Sequence, residues 1–111
     1  MKATPGLDLT FAALADPTRR AVVNLLRDAP LRSSDLADAL DKSRPAMSRH
    51  LRVLRQAQLV EEESPVGDAR ARVYQLKRAP FSELRTWLDD VEAFWGVQLR
   101  AFKEHAEQSI D

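Results

Sequence analysis

Arginine side chains gather on one side of the segment 44–58, which contains no acidic residue. If the segment is helical, at about 100° per residue, its apolar residues share one side: they are Ala46, Met47, Leu51, Val53 and Leu54, joined by His50. The other side, here called the arginine face, holds Arg44, Ser48, Arg49, Arg52, Arg55 and Gln56. Guanidinium groups pair with phosphates and bond bidentately to the O6 and N7 atoms of guanine. The arginine face therefore predicts contact with a nucleic acid.

A solvated helix surface is the alternative interpretation of the arginine face. Solvated surfaces usually mix charges of both signs, because acid–base pairs four residues apart stabilise a helix. The arginine face has no such pair within its own helix, and its like charges repel one another, which favours nucleic-acid contact. Ser43 is a good N-cap, and the backbone N–H groups that follow it would favour a phosphate.

Two further arginines lie in the segment 59–77, where extended runs flank a Pro/Gly turn and so predict a β-hairpin. Arg70 and Arg72 are two residues apart, so both project from one face of a strand and could reach phosphates or an adjacent minor groove. The alternative is that they are edge-strand charges that oppose aggregation. The acidic run 61–63 does not suit a strand that faces DNA, and we expect its three carboxylates to point away from the duplex.

Prolines and apolar spacing predict the elements that must position these residues. Three short helices begin near residues 7, 17 and 33, with Asp16 and either Ser33 or Ser34 as N-caps and with Arg19 and Arg20 on the outside of the second helix. The helix 44–58, the hairpin 59–77 and a final helix over about 80–108 follow. Two short helices joined by a tight turn and followed by a hairpin predict a winged helix-turn-helix. The expectation is a mainly α fold with a small β wing, in one domain over 1–111, with 44–58 as the recognition helix.

Composition limits the class of protein. The 111 residues, 44% hydrophobic and 31% charged, indicate a globular chain, and the absence of cysteine excludes disulfides, thiolate metal sites and thiol nucleophiles. A net charge of zero conceals nine basic and four acidic residues in 42–78, against three basic and seven acidic in 79–111. Nucleic-acid binding follows such a local field rather than the total charge.

Several other classes are not expected. No apolar run resembles a signal peptide or a membrane span, so we expect a cytoplasmic protein with no membrane partner. No nucleophile elbow, Gly-rich phosphate loop or His-Glu-x-x-His motif occurs, and both histidines lie on apolar stripes, so an enzyme is not expected. The alternative function is a dimeric protein-interaction module that does not bind DNA.

The final helix carries an apolar stripe made of Leu84, Leu88, Val91, Trp95, Leu99, Phe102 and Ala106. A helix over 80–108 would be about 43 Å long, whereas a compact domain of this size is about 30 Å across. We expect a second chain to cover the far end of the stripe, although packing within one subunit, or a break at Gly96, is the alternative. The predicted interface of this homodimer consists of Leu7, Phe11, Leu88, Val91, Trp95, Leu99 and Phe102.

Three runs of sequence resemble the ArsR/SmtB family of bacterial repressors: 12–20, 43–54 and 72–76, in a similarity that covers about 7–108. The resemblance implies a homodimeric winged-helix regulator that binds an imperfect inverted repeat, commonly in its own promoter, and hence a repressor of its own or a neighbouring operon. By position, it implies base and phosphate contacts for Ser43, Arg44, Ser48 and Arg49, with Arg70 and Arg72 in the wing. The full set of predicted DNA-contacting residues is Ser43, Arg44, Pro45, Ser48, Arg49, Arg52, Arg55, Arg70 and Arg72.

Members of the resembling family often sense metals, but the ligand patterns differ here. The segment 31–40 contains no cysteine, so the cysteine-bearing site on the third helix is absent. On the last helix, Asp90-x-Glu92 and His105-x-x-Gln108 occupy places similar to the family's Asp-x-His and His-x-x-Glu or His-x-x-His pairs. A carboxylate replaces one histidine, and glutamine is a poor zinc ligand. We therefore expect no metal and no cofactor, and the sequence predicts no particular effector.

Overall fold

The computed structural model describes residues 5–64 and 72–108. Its elements in chain order are α1 (Pro5–Leu14), α2 (Pro17–Leu26), α3 (Ser33–Ala39), α4 (Arg44–Gln56), β1 (Val60–Glu63), β2 (Val73–Leu76) and α5 (Arg78–Gln108). Three short helices, a recognition-type helix and an antiparallel hairpin are the arrangement of a winged helix-turn-helix, which confirms the predicted fold class. The chain divides into two compact units, Met1–Phe81 and Ser82–Asp111; the single domain over 1–111 stays a prediction.

Asp16 separates α1 from α2. Its carboxylate accepts a 3.0 Å hydrogen bond from the N–H of Arg19, and Pro17 occupies the first helical turn, where a missing N–H costs no bond. Arg19 and Arg20 turn back onto the C-terminus of α1: Arg19 Nε donates to the carbonyl of Ala13 and Arg20 Nη1 to that of Leu14, both at 2.7 Å. The expectation that Arg19 lies outside is wrong, because the last carbonyls of α1 need donors.

The start of α3 also differs from the prediction. Its N-cap is Arg32, which is extended and makes no side-chain cap, so Ser33 and Ser34 lie inside the helix. The cause lies one residue earlier, where Leu31 and Tyr74 exchange backbone hydrogen bonds of 3.2 and 2.8 Å. This bridge holds the chain extended up to Arg32, and the helix begins directly after it.

The helices α3 and α4 end with the same backbone motif. The N–H groups of Asp41 and Lys42 bond to the carbonyls of Asp38 and Ala37 after α3, and Gln58 and Leu59 bond to Arg55 and Leu54 after α4. These pairs are Schellman motifs, which need a left-handed residue. Asp41 (φ 53°) and Gln58 (φ 62°) supply it without being glycine. The recognition helix therefore ends at Gln56, two residues before the predicted boundary.

The hairpin follows α4 directly. β1 and β2 pair antiparallel with Val60 opposite Leu76 and Glu62 opposite Tyr74, and the N–H of Lys77 extends the ladder to the carbonyl of Leu59. The strands are shorter than the predicted wing of 59–77. The predicted turn, with Arg70, lies outside the described residues.

The core of the first unit forms where the helical stripes meet. The largest fully buried side chains are Val22 of α2, Leu36 of α3, Met47, Leu51 and Leu54 of α4, Leu59 and Thr10. The hydroxyl of Thr10 donates to the carbonyl of Gly6, so its burial leaves no polar group unpaired. Burial of the α4 stripe fixes the rotation of this helix on the core.

The second unit consists of the larger part of α5. This helix of 31 residues is continuous through Gly96, so the break considered there does not occur. It begins at Arg78, two residues before the predicted start, because Pro80 in the first turn displaces no helical hydrogen bond. None of the described helices combines the length and the apolarity needed to cross a membrane.

A stability comparison tests the left-handed turn between α3 and α4. Asp41→Gly should be more stable than Asp41→Ala by about 1 kcal/mol, because only glycine adopts a positive φ without steric cost. The same pair of substitutions at Asp38, inside α3, should show the opposite order, since glycine weakens a helix. Urea unfolding of the four variants measures both differences. An alanine variant at 41 as stable as the glycine variant would contradict the role of this turn.

Candidate nucleic-acid interface

The arginine face is exposed on α4. Met47, Leu51 and Leu54 are buried on the opposite side of the helix. Every side chain of the arginine face, and Pro45 beside it, is exposed to solvent; these residues are Arg44, Pro45, Ser48, Arg49, Arg52, Arg55 and Gln56. The structure therefore brings six of the nine predicted DNA-contacting residues to one helix surface.

Ser43 closes the N-terminus of α4. Its hydroxyl accepts a 3.2 Å hydrogen bond from the N–H of Ala46, as an N-cap does. A serine hydroxyl also carries one O–H donor, which is available to another acceptor. The N-terminus of α4 therefore offers backbone N–H groups, a hydroxyl and the adjacent Arg44 guanidinium to an anion.

His50 connects the back of α4 to the junction between α1 and α2. Its Nδ1 lies 3.4 Å from Arg19 Nη1 and 3.8 Å from Asp16 Oδ2. A guanidinium only donates, so Nδ1 accepts from Arg19 when the neutral ring carries its hydrogen on Nε2. Arg19 thus contacts both the C-terminus of α1 and α4, which helps to hold α4 in place.

The same junction changes the acidity of Asp16. The hydrogen bond from the Arg19 N–H holds the pKa of this carboxyl below its usual range, with the nearby charge of Arg19 and His50 acting in the same direction against partial desolvation. Asp16 therefore stays ionised, and stays an effective cap for α2, under mildly acidic conditions.

The wing meets α4 through ion pairs. Glu62 of β1 bonds to Arg55 through Oε2 and to Arg72 through Oε1, each at 3.3 Å. Arg72, predicted together with Arg70 as a wing contact, is exposed and lies next to the C-terminal half of the arginine face. The expectation that the carboxylates of the acidic run all point away from this surface is wrong for Glu62.

An open, polar groove of about 900 Å³ separates α4 from the hairpin. Arg52, Arg55 and Arg72 line it together with Glu62 and Tyr74. Burial and the charge of Glu62 raise the pKa of the Tyr74 phenol, so this hydroxyl stays neutral. The groove is a charged surface at the edge of the arginine face.

Sequence reasoning missed Glu62, although a signal for it exists. Val60 is buried, and alternate residues of a strand share a face. Glu62 must therefore point to the same side as Val60, towards α4, while Glu61 and Glu63 point to the other side. Glu61 accordingly accepts from the side-chain amide of Gln75, at 2.8 Å.

Two apolar surfaces are exposed, one in each unit. In α5, Trp95, Leu99 and Phe102 are 59%, 62% and 73% exposed, whereas Val91 is half-buried. In α1, Phe11 is 41% exposed and Leu7 is half-buried. Large apolar side chains exposed in series indicate an interaction surface.

In the part of the chain that the structure describes, no group of three or more His, Asp or Glu side chains could hold a metal ion. This is compatible with the departures from the metal-ligand patterns in the sequence.

A buried apolar stripe, an arginine face turned outward and a hairpin alongside define a DNA-binding winged helix-turn-helix. Residues 16–62 match the family model for bacterial regulatory proteins of the arsR family. The chain is similar to the HTH-type transcriptional regulator Rv2034 of Mycobacterium tuberculosis, with 43% identity over 94% of this chain and 92% of that protein. The chain therefore belongs to the ArsR family.

Two further comparisons agree with this assignment. An ArsR-like transcriptional regulator from Rhodococcus sp. RHA1 superposes with a TM-score of 0.80 and 33% identity, over 93% of this chain and 92% of that one. The transcriptional repressor SdpR of Bacillus subtilis is 36% identical over 47% of this chain and 58% of its own length. The protein is a DNA-binding transcriptional regulator, a class that is not enzymatic, and the alternative of a module that does not bind DNA is not favoured.

A pH series tests the charge on Asp16. Because the folded-state pKa of Asp16 lies below its ordinary value of 3.8, the ionised carboxylate stabilises the fold above that value, and this contribution is lost as the pH falls through the folded-state pKa. Asp16→Asn keeps a capping oxygen but does not titrate. The difference in free energy of unfolding between wild type and Asp16→Asn, measured in urea, should shrink in favour of the variant as the pH falls from 5 to below about 4. A difference that stays constant to the lowest pH would contradict the assignment.

Proposed function

We propose that the protein binds a specific operator by inserting α4 into the major groove, with the arginine face towards the DNA. The N-terminal half of the helix, with Arg44, Ser48 and Arg49, contacts base edges and phosphates, as the first residues of a recognition helix do. Arg52 and Arg55 lie further along the same face and suit phosphate contact. The observation that carries this proposal is the exposure of the whole arginine face opposite a fully buried stripe.

The wing supplies a second contact. Arg72 stands beside the C-terminal half of α4, and Arg70, outside the described residues, is two positions earlier in the chain. Both guanidinium groups suit the flanking phosphates or the adjacent minor groove. Ser43 and Pro45 complete the set at the start of α4, where the backbone approaches a phosphate.

The protein acts as a homodimer. The exposed stripe of α5, centred on Leu88, Trp95 and Leu99, and the exposed side chains of α1 supply the interface. Burial of each large apolar side chain contributes roughly 1.5–3 kcal/mol, so association with a second copy of the chain is favoured over exposure of these side chains to water. A two-fold axis presents two α4 helices about 34 Å apart, which matches an inverted repeat.

Repression is the expected outcome of binding. The relative SdpR is named a transcriptional repressor, and a dimer on an operator within a promoter blocks the polymerase by occupying its site. We expect the operator to lie before the protein's own gene or a neighbouring operon. The chain carries out this work in the cytoplasm, with no metal or cofactor.

Charge removal on α4 tests DNA binding. Arg44→Ala together with Arg49→Ala should weaken binding to an operator duplex, recovered by genomic-fragment selection, by about 2–6 kcal/mol for each half-site, because each bidentate contact to a base is worth about 1–3 kcal/mol. The matched control is Arg27→Ala together with Arg85→Ala, which removes the same charge from the C-cap of α2 and from α5. Fluorescence anisotropy measures the affinity. Equal affinities for the two double variants would refute the assignment of the arginine face.

A second pair of variants tests the dimer. Leu99 belongs to the exposed stripe, whereas Val97, which is 55% exposed, lies about 160° away around α5. Leu99→Glu should convert the protein to a monomer, because a charge buried in an apolar interface without a partner is costly. Val97→Glu adds the same charge and should leave the dimer intact. Light scattering during size exclusion gives both masses, and a dimer for Leu99→Glu would overturn the proposed interface.

A further inference from the structure

Glu62 is an acidic residue at the centre of a basic surface. Its side chain is only 19% exposed, while those of its partners Arg55 and Arg72 are 53% and 58% exposed. Each carboxylate oxygen contacts a different guanidinium. One side chain therefore joins α4 to both arms of the hairpin.

The fold, rather than chance rotation, directs Glu62 to this position. Val60 is buried on the same face of β1, and the register places Glu62 opposite Tyr74, whose backbone is in turn bridged to Leu31. The neutral Tyr74 phenol adds no charge. The net charge of the cluster is therefore set by two arginines and one carboxylate.

This arrangement changes how the two arginines can meet DNA. A guanidinium has five donors, so Arg55 and Arg72 can each keep the carboxylate and still approach a phosphate. They can do so only from the directions that the carboxylate leaves open. Arg44 and Arg49, on the N-terminal half of α4, make no ion pair with any residue in the described ranges 5–64 and 72–108.

We propose that Glu62 is a specificity-determining positioning residue. It restrains Arg55 and Arg72 so that they bind phosphates placed as in the operator more favourably than phosphates placed as in other duplexes. The proposal rests on DNA binding by α4 and the wing. Because both guanidinium groups are more than half exposed, these ion pairs are weak, so a phosphate at a suitable position can compete with Glu62, whereas a poorly placed phosphate cannot.

The test compares Glu62→Gln with wild type on two labelled duplexes, the selected operator and a scrambled duplex of equal length and composition, over a series of KCl concentrations. Glutamine keeps the shape of the side chain and removes its charge. The affinity of the variant for the scrambled duplex should rise more than that for the operator, so the specificity ratio falls several-fold. For the scrambled duplex, the slope of the logarithm of the binding constant against the logarithm of the KCl concentration should steepen by about 0.9 for each arginine that gains a phosphate contact.

Glu63→Gln is the matched control, because it removes the same charge from the other face of the same strand. It should raise affinity for both duplexes alike and leave the ratio unchanged. If Glu62→Gln behaves like this control, or loses affinity for both duplexes in parallel, the proposal is overturned. Urea unfolding of both variants verifies that the hairpin remains folded.

A further comparison shows whether Glu62 acts through its two partners. In a background of Arg55→Ala and Arg72→Ala, the substitution Glu62→Gln should change neither the specificity ratio nor the salt slope, apart from the general charge effect seen with Glu63→Gln. A full effect in that background would overturn the proposal. Wild-type protein that binds neither duplex would instead refute the proposed function itself, and this outcome is visible before any variant is measured.

Discussion

The burial of one side of α4 is the constraint on which the rest of the structure depends. Met47, Leu51 and Leu54 enter the core completely, and their removal from water outweighs any other contact of this helix. Because the three residues lie on one stripe, they leave α4 a single rotation about its own axis. The arginines are exposed as a consequence of that packing, not through contacts of their own.

The elements around α4 keep this orientation fixed while leaving its outer surface open. Left-handed residues end α3 and α4, so the turns on either side of the recognition helix are short. His50 and Arg19 hold the helix from behind, where their contacts do not consume the donors of the arginine face. Glu62 is the exception, since it contacts that face from the front and couples α4 to the wing.

The main features of this arrangement could be predicted from the sequence, because they depend on local periodicity. The buried and exposed sides of α4, the cap at Asp16 and the hairpin all follow from spacing and residue type. The details that were wrong depend on contacts between distant segments. The start of α3 is set by the bridge from Leu31 to Tyr74, and the position of Arg19 is set by the carbonyls of α1.

Glu62 lies between these two cases. Because residues alternate along a strand, Val60 indicates the face of the hairpin on which Glu62 lies. The partners of Glu62 on that face are fixed only when β1 packs against α4. Gln58 is similar: nothing about glutamine favours a positive φ, and the Schellman motif that demands it becomes visible only with the backbone bonds. For Glu62 a tertiary contact decides between local possibilities that the sequence leaves equal, and for Gln58 the backbone bonds at the end of α4 do so.

Arginine-selective chemical modification with mass spectrometry, performed with and without the operator duplex, tests the central claim most directly. The guanidinium groups of Arg44, Arg49 and Arg52 should be reactive in the free protein and protected in the complex, whereas Arg27, the C-cap of α2, should react equally in both. Protection of Arg27 with continued reactivity of Arg44 and Arg49 would show that the DNA lies elsewhere and would contradict the account.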